Sequence, residues 1–181
     1  MPIAAPPAVH QAAVQDSVLS CLARGSHTWL ATRPSPLDSA TVTVAGAVAK
    51  VCYSRPAARG RSVDSLVPPG IAWRTGANEP TTLAVTGTFD VGGATLTPGR
   101  YVLLTVPGAD GWVFAFHTSA ETEPARVFQT MRRVALGRGT VERLATPVEQ
   151  FTIRGENPGD GAAFVLEWGD WRVRLPVRAV P

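Results

Sequence analysis

The chain has 181 residues, of which 45% are hydrophobic and 17% are charged, so it can bury a core and is not disordered. Its 17 basic and 14 acidic residues give a formal net charge of +3, which is too small to indicate nucleic-acid binding. No apolar run approaches the roughly 18 residues that a membrane-spanning helix needs. These features predict a soluble or peripheral protein with one main domain and no transmembrane segment.

The first 34 residues are predicted to form an arm, and residues 35–181 the main domain, with a proline-containing break between them. Residues Ala8 to Arg24 predict a helix, because they lie between a proline and a glycine at positions that suit helix termini. Its apolar side chains recur at helical spacing. The stripe consists of Val14, Val18, Cys21 and Leu22. It packs either on the main domain or in a groove of another subunit.

The two cysteines, Cys21 and Cys52, do not form a closely spaced pair, so their spacing does not indicate a zinc site or a redox dithiol. We therefore expect two buried free thiols. The residues before Cys21 also lack the basic start and apolar centre of a signal peptide. The sequence alone thus favours a protein that is cytoplasmic or peripheral to a membrane.

From residue 38 the apolar pattern changes to period two, which predicts short antiparallel strands separated by turns. The predicted strands are Thr41 to Ala45, Ala47 to Tyr53, Leu83 to Thr86, Phe89 to Val91, Tyr101 to Val106 and Trp112 to His117. About nine short strands with frequent turn signals predict a mainly β fold. The expected architecture is an antiparallel β-sandwich or jelly-roll-like domain.

Two further elements are predicted in the C-terminal third. Residues Pro124 to Ala135 predict one short internal helix, with an apolar face formed by Val127, Phe128, Met131 and Val134. Glycine followed by aspartate at Gly169-Asp170 predicts a two-residue hairpin turn. That register would place Trp168 opposite Trp171 and Glu167 opposite Arg172.

The most distinctive stretch is the heptad Trp-Arg-Thr-Gly-Ala-Asn-Glu at residues 73–79. Other characteristic stretches are Tyr53-Ser54-Arg55-Pro56, Leu66-Val67-Pro68, Pro98-Gly99-Arg100-Tyr101, Thr105-Val106-Pro107-Gly108 and Leu166-Glu167-Trp168. With these stretches, residues 35 to 178 resemble the bacterial family catalogued as domain of unknown function 2911. The resemblance implies no particular reaction, and it implies an exported, periplasmic location as the alternative to a cytoplasmic one.

One polar constellation stands out around the heptad. It comprises Arg55, Arg59, Arg61, Trp73, Arg74, Asn78 and Glu79. Guanidiniums bind carboxylates, an indole stacks on sugars, and amide and carboxylate groups bind hydroxyls, so the set could form a ligand site. Alternatively, Arg74 pairs with Glu79 and stacks on Trp73, bracing a long loop. The second interpretation accounts for the same residues without a ligand, and we favour it.

No motif for a nucleophile, a phosphate loop or a metal site is evident, and His10, His27 and His117 are scattered. We therefore expect no cofactor and favour a non-enzyme. The first hypothesis is a non-enzymatic interaction or scaffolding module that serves as an accessory subunit of a larger protein assembly. An assembly at a membrane surface is one form of this hypothesis. Its contact residues would be Val14, Val18, Leu22, Arg126, Arg132 and Arg133. The alternative is a carbohydrate- or carboxylate-binding domain, or a weak hydrolase, that uses the constellation above.

Overall fold

The computed structural model describes residues 18–157 and 161–181, and antiparallel β-structure dominates them. The strands are β1 (Leu37–Val44), β2 (Ala47–Ser54), β3 (Thr82–Val85), β4 (Phe89–Val91), β5 (Ala94–Leu96), β6 (Gly99–Val106), β7 (Trp112–Thr118), β8 (Arg132–Glu156) and β9 (Ala162–Ala179). They form a nine-stranded sheet in the order β1-β2-β3-β6-β7-β8-β9-β4-β5. The mainly antiparallel β class is confirmed, and the sandwich or jelly-roll arrangement stays a prediction.

Three short helices accompany the sheet in the described residues: α1 (His27–Thr32), α2 (Val63–Leu66) and α3 (Pro124–Thr130). The hydroxyl of Ser26 caps α1 by accepting a hydrogen bond from the backbone N–H of Trp29 at 3.2 Å. In the predicted arm helix only Val18 and Leu19 are helical within the described part, and residues 20–26 are irregular. The remainder of that predicted helix lies outside the described residues. None of the helices that the structure describes is long and apolar enough to cross a membrane.

The predicted strands of the first two thirds are confirmed with small shifts at their ends. β1 and β2 are joined at Ala45 and Gly46, whose φ values of 50° and 79° belong to a turn type that matches strand twist. β6 and β7 form the expected hairpin, in which Val102 lies opposite His117. The aromatic face predicted for β7 is also confirmed, because Trp112, Phe114 and Phe116 are all buried in the core.

The hairpin predicted at Gly169-Asp170 is wrong. β9 continues through both residues, and its partner between Ala163 and Arg174 is the 25-residue strand β8, which places Val148 opposite Gly169. The glycine signal has a different origin, since Gly169 has a φ of 56° and a Cβ there would approach Val63 at 2.7 Å. The register shifts between Arg143 and Val148 and again before Thr152, so the strand pair bends at this point.

The helix predicted over Pro124 to Ala135 is too long. α3 ends at Thr130, and β8 begins at Arg132 and pairs with β7. A register shift between Phe116 and His117 interrupts the alternation at Val134, and from Val134 to Arg138 every second side chain points to the same side of the sheet, as a strand requires. Sheet pairing with β7 therefore overrides the helical spacing of the apolar residues in this segment.

The expectation of two free thiols is also wrong, because Cys21 and Cys52 form a disulfide across 31 residues of sequence. Cys52 is on β2, so the bond attaches the arm to the sheet. A second tie comes from Arg100 of β6, whose guanidinium donates to the carbonyl oxygens of Val18 at 3.0 Å and Ser20 at 2.7 Å. The arm from residue 18 onward is thus held on the main domain.

Candidate functional site

Trp73 faces the hydrophobic core. Its backbone pairs with Thr105 through two hydrogen bonds of 2.7 and 2.9 Å, which fixes the heptad, residues 73–79, alongside β6. Its indole stacks on Trp168 at a centroid distance of 5.7 Å and meets Phe151 edge-on at 4.9 Å. The ring therefore contributes packing energy to the core. The predicted stack of Arg74 on Trp73 does not form, and the Arg74 guanidinium lies over Phe128 at 5.2 Å.

Glu79 forms an ion pair with Arg33 of the arm. Arg33 was not among the site residues predicted from the sequence. The Arg33 guanidinium donates in bidentate fashion to the Glu79 carboxylate at 2.7 and 2.5 Å, and the Ser54 hydroxyl donates to it at 3.0 Å. Burial raises the pKa of Glu79, but the hydrogen bonds from Arg33 and Ser54 outweigh it and hold the pKa below the usual value. The predicted pairing of Glu79 with Arg74 is replaced by this buried ion pair.

The other three arginines of the constellation lie away from Glu79. Arg55 donates to the carbonyl oxygen of Phe151 at 3.2 Å and to the Thr152 hydroxyl at 3.1 Å, so it ties β2 to β8. Arg61 donates to the carbonyl oxygen of Ala58 at 3.0 Å within its own loop, and Arg59 is exposed. The structure brings Arg74, Asn78 and Glu79 together at one groove and places the other members apart from it.

The carboxyl groups with resolved pKa shifts all favour the ionised form. The pKa values of Glu156 and Glu167 are lowered, like that of Glu79. Burial raises the pKa of Tyr53 to about 12, where the phenol keeps its proton. A general acid needs a pKa close to the working pH. Among the described residues there is also no cluster of three or more histidine, cysteine, aspartate or glutamate side chains that could hold a metal ion.

A largely apolar surface lies on the side of β6, β7 and β8 that faces away from the core. We call it the outer face, and it is formed by Leu104, Val106, Val113, Ala115, Val134 and Leu136. Cross-strand pairing puts Leu104, Ala115 and Leu136 in one row. Val134 and Leu136 are 52% and 51% exposed. Adjacent apolar side chains left open to solvent are typical of an interaction surface.

Three exposed arginines border this outer face. Arg138 lies opposite Val113, Arg133 lies opposite His117, and Arg132 begins the same strand. We call them the rim arginines. In the parts of the chain that the structure describes, none of the three forms an ion pair, whereas Arg126 of α3 pairs with Glu121 at 3.5 Å. The predicted contact residues Arg132 and Arg133 thus lie next to an apolar surface that was not predicted from the sequence.

The predicted contact residues of the arm have a different environment. Val18 and Leu22 are half-buried and flank the disulfide that holds the arm on β2, and Val14 lies outside the described residues. The arm reaches the same side of the sheet as the outer face, because Arg100, which binds it, alternates with the core residues Tyr101 and Leu103. The arm's docking on another subunit stays a prediction.

A ring of alternating charges on the β8–β9 pair was not foreseen. Glu167 accepts hydrogen bonds from Arg154 and from Arg172, and Glu156 accepts from Arg154 and from Arg174. The predicted Glu167–Arg172 pair is therefore present, although the hairpin expected to create it is not. The ring borders a depression of about 420 Å³. Arg172 also pairs with Glu142 at 3.0 Å, so that three carboxylates balance three guanidiniums and link residues on both sides of the bend.

The comparisons with known proteins agree with the family resemblance. A family model described as Protein of unknown function (DUF2911) matches residues 35–177. Neither the curated proteins nor the solved structures contain a match to this chain. The match spans β1 to β9 and leaves the arm outside it.

Proposed function

The chain belongs to the DUF2911 family of proteins of unknown function, and from that premise we propose that it is a non-enzymatic interaction module that docks a partner protein on its outer face. The observation that carries the proposal is the juxtaposition of exposed Val134 and Leu136 with the three rim arginines. An apolar centre with a charged margin is the usual composition of a protein–protein interface. The partner would make this chain an accessory subunit of a larger assembly.

The partner surface that fits best has an apolar centre and an acidic margin. Arginine suits such a margin because its planar guanidinium binds carboxylates in bidentate fashion and also packs on apolar groups. The rim arginines have no ion pairs within the described residues, so an incoming carboxylate would not need to displace one. An anionic membrane would meet the same charges, but a sheet face suits a protein surface better than the lipid interface, which amphipathic helices usually enter.

The core position of Trp73 and the engagement of Glu79 in its ion pair with Arg33 support an interaction module over a hydrolase built on these residues. Within the constellation, Trp73, Glu79 and Arg55 supply bracing. The disulfide between Cys21 and Cys52 bears on location, since such bonds persist in oxidising compartments. It favours the exported, periplasmic alternative over the cytoplasmic one.

The decisive experiment isolates the partner with a tagged chain under native conditions and then measures the affinity of the purified pair. Leu136→Asp should weaken the complex at least tenfold, because a carboxylate would be buried in the apolar centre. Reversing two rim charges with Arg132→Glu and Arg133→Glu should also weaken it and reduce its sensitivity to salt.

The matched control is Val180→Asp, since Val180 is another exposed apolar residue, 38% exposed, that follows β9 instead of lying on the outer face. This variant should bind the partner as the parent chain does. Circular dichroism melts establish that all variants are folded. Equal affinities for the Leu136→Asp and Val180→Asp variants would refute the proposal, as would flotation of the parent chain with anionic phospholipid vesicles in place of any protein complex.

A further inference from the structure

A groove of about 590 Å³ lies between the end of the arm, the heptad and α3. Its volume is in the range of small-molecule sites, which is about 300–1,000 Å³. Apolar and polar groups both line it. The apolar part consists chiefly of Trp29, Pro34, Pro124 and Phe128, and the indole of Trp29 is 53% exposed.

Each wall of the groove carries an arginine over an aromatic ring. On the arm side, the Arg33 guanidinium lies 5.0 Å from the centre of the Trp29 ring. On the α3 side, the Arg74 guanidinium lies 5.2 Å from the centre of the Phe128 ring. Stacking of this kind fixes the direction of each guanidinium and leaves its edge available for hydrogen bonds. The two aromatic rings come from different elements, α1 and α3, and both line the groove.

The charges of the two walls are not equivalent. Arg33 is neutralised by the bidentate pair with Glu79, and its side chain is only 5% exposed. Arg74 donates one hydrogen bond of 2.9 Å to the backbone oxygen of Asn78 and forms no ion pair with any residue in 18–157 or 161–181. The groove lining, which contains two guanidiniums and one carboxylate, therefore carries one uncompensated positive charge beside apolar surface.

We propose that this groove binds a monocarboxylate whose carboxylate pairs with Arg74 and whose flat apolar group lies between Trp29 and Phe128. The ligand could be a free aromatic acid or the C-terminus of a peptide ending in an aromatic residue, because both present the same chemistry. The site differs from the constellation suggested by the sequence, since Trp29 and Phe128 provide the aromatic surface that Trp73 cannot. It is independent of docking on the outer face.

Isothermal titration of the full chain with phenylacetate tests the proposal, and we expect a Kd of about 1 mM for a ligand of this size. Phenylacetamide has the same shape without the charge, and it should bind at least tenfold more weakly. Arg74→Gln should weaken phenylacetate binding by about tenfold or more, since a charge-assisted bidentate contact is lost. Trp29→Ala should also weaken it.

Arg61→Gln is the matched control, because Arg61 lies outside the groove lining and should leave phenylacetate binding unchanged. The peptide acetyl-Gly-Gly-Phe, with a free C-terminus, distinguishes the two ligand sources: tighter binding than phenylacetate assigns the groove to a peptide end, and weaker binding to a free acid. Equal binding of the amide and the acid, or unchanged binding by folded Arg74→Gln, overturns the proposal. Leu136→Asp must retain phenylacetate binding, which separates this test from the docking surface.

Discussion

Arg33 joins three segments of the chain through one guanidinium. It donates to Glu79 of the heptad, to the Ser54 hydroxyl of β2 at 2.7 Å, and through Nε to the carbonyl oxygen of Ser35 at 2.8 Å. The Arg33 and Glu79 side chains are 5% and 12% exposed, so each charge depends on the other for compensation. Removing one partner from such a pair leaves a buried charge without a counter-charge.

We therefore predict that Arg33→Met lowers the free energy of unfolding by about 3 kcal/mol near neutral pH. Urea denaturation followed by tryptophan fluorescence provides the measurement. Adding Glu79→Gln to this variant should recover part of the loss, because the unpaired carboxylate is then absent. Arg59→Gln is the control and should change stability by less than about 0.5 kcal/mol, since Arg59 is exposed. A loss that is the same in the single and double variants would contradict the role given to the ion pair.

The heptad itself was recognisable in the sequence, but the direction of its side chains was not. An indole in an irregular segment has no periodicity from which its face could be inferred, so Trp73 could equally serve a ligand or the core. Thr75 and Asn78 have φ values of 60° and 59°, and the backbone turns sharply between them. Trp73 itself is bridged to Thr105 in extended conformation, so its side chain and that of the next residue point to opposite sides: Trp73 enters the core and Arg74 reaches Phe128.

At the scale of elements, the β8–β9 pair combines a bend with the charged ring. Arg174 donates a hydrogen bond to Glu156, 18 residues earlier in the sequence. Arg172 donates one to Glu167, which lies on the other side of Gly169. Residues this distant along one strand pair meet only if the pair curves toward them. The side chain of Glu167 is 8% exposed, while those of Arg154 and Arg172 are about 40% exposed. Glu167 is therefore the member of the ring that solvent screens least.

We predict that Glu167→Gln destabilises the protein by about 1.5 kcal/mol near neutral pH, a value reduced for the solvent exposure of both arginines. Burial raises the pKa of Glu167, but hydrogen bonds from Arg172 and Arg154 outweigh it, so the pKa lies below the ordinary value of 4.5. A lowered pKa gives stability that is fully present above pH 4.5 and is lost as the pH falls through the folded-state value.

Urea unfolding at about pH 7 and about pH 3 tests both parts of this prediction. The difference in the free energy of unfolding between the parent chain and Glu167→Gln should be largest at the higher pH and smaller at the lower pH. Glu142→Gln is the matched control, because Glu142 also accepts from Arg172 but its side chain is 62% exposed. A difference that grows as the pH falls would show that the carboxylate is not stabilising as an anion.

Sequence periodicity predicted most strands because alternation reports directly which face is buried. Prediction from the sequence failed where one sequence pattern was compatible with two different structures. Gly169-Asp170 satisfies a hairpin pattern, yet the glycine is required by contact with Val63, which is distant in sequence. Likewise, the residues from Arg132 to Arg138 fit both a helix and a strand, and only pairing with β7 decides between them. The outer face was missed for that reason, since Val134 was assigned to the predicted helix and Leu136, which follows its end, was assigned to no strand.

At the scale of the whole molecule, the arm and the sheet are one connected unit from residue 18 onward. The disulfide, the hydrogen bonds from Arg100 and the Arg33–Glu79 pair attach it at three separate points. The core that the family model covers contains neither Cys21 nor Arg33. The attachments are therefore additional to a core that the strands and the aromatic cluster complete without the arm.

We predict that reducing the Cys21–Cys52 bond lowers the free energy of unfolding by about 3 kcal/mol, because the bond restricts the unfolded chain over 31 residues. The native fold should persist, since the sheet core does not depend on the bond. Urea unfolding with and without reductant measures the loss of stability. The double variant with Cys21→Ser and Cys52→Ser should have the lower stability without reductant, and reductant should not change it further. Mass measurement after maleimide treatment should find no reactive thiol in the oxidised chain and two after reduction. Identical unfolding curves with and without reductant would mean that the arm is held by Arg100 and Arg33 alone.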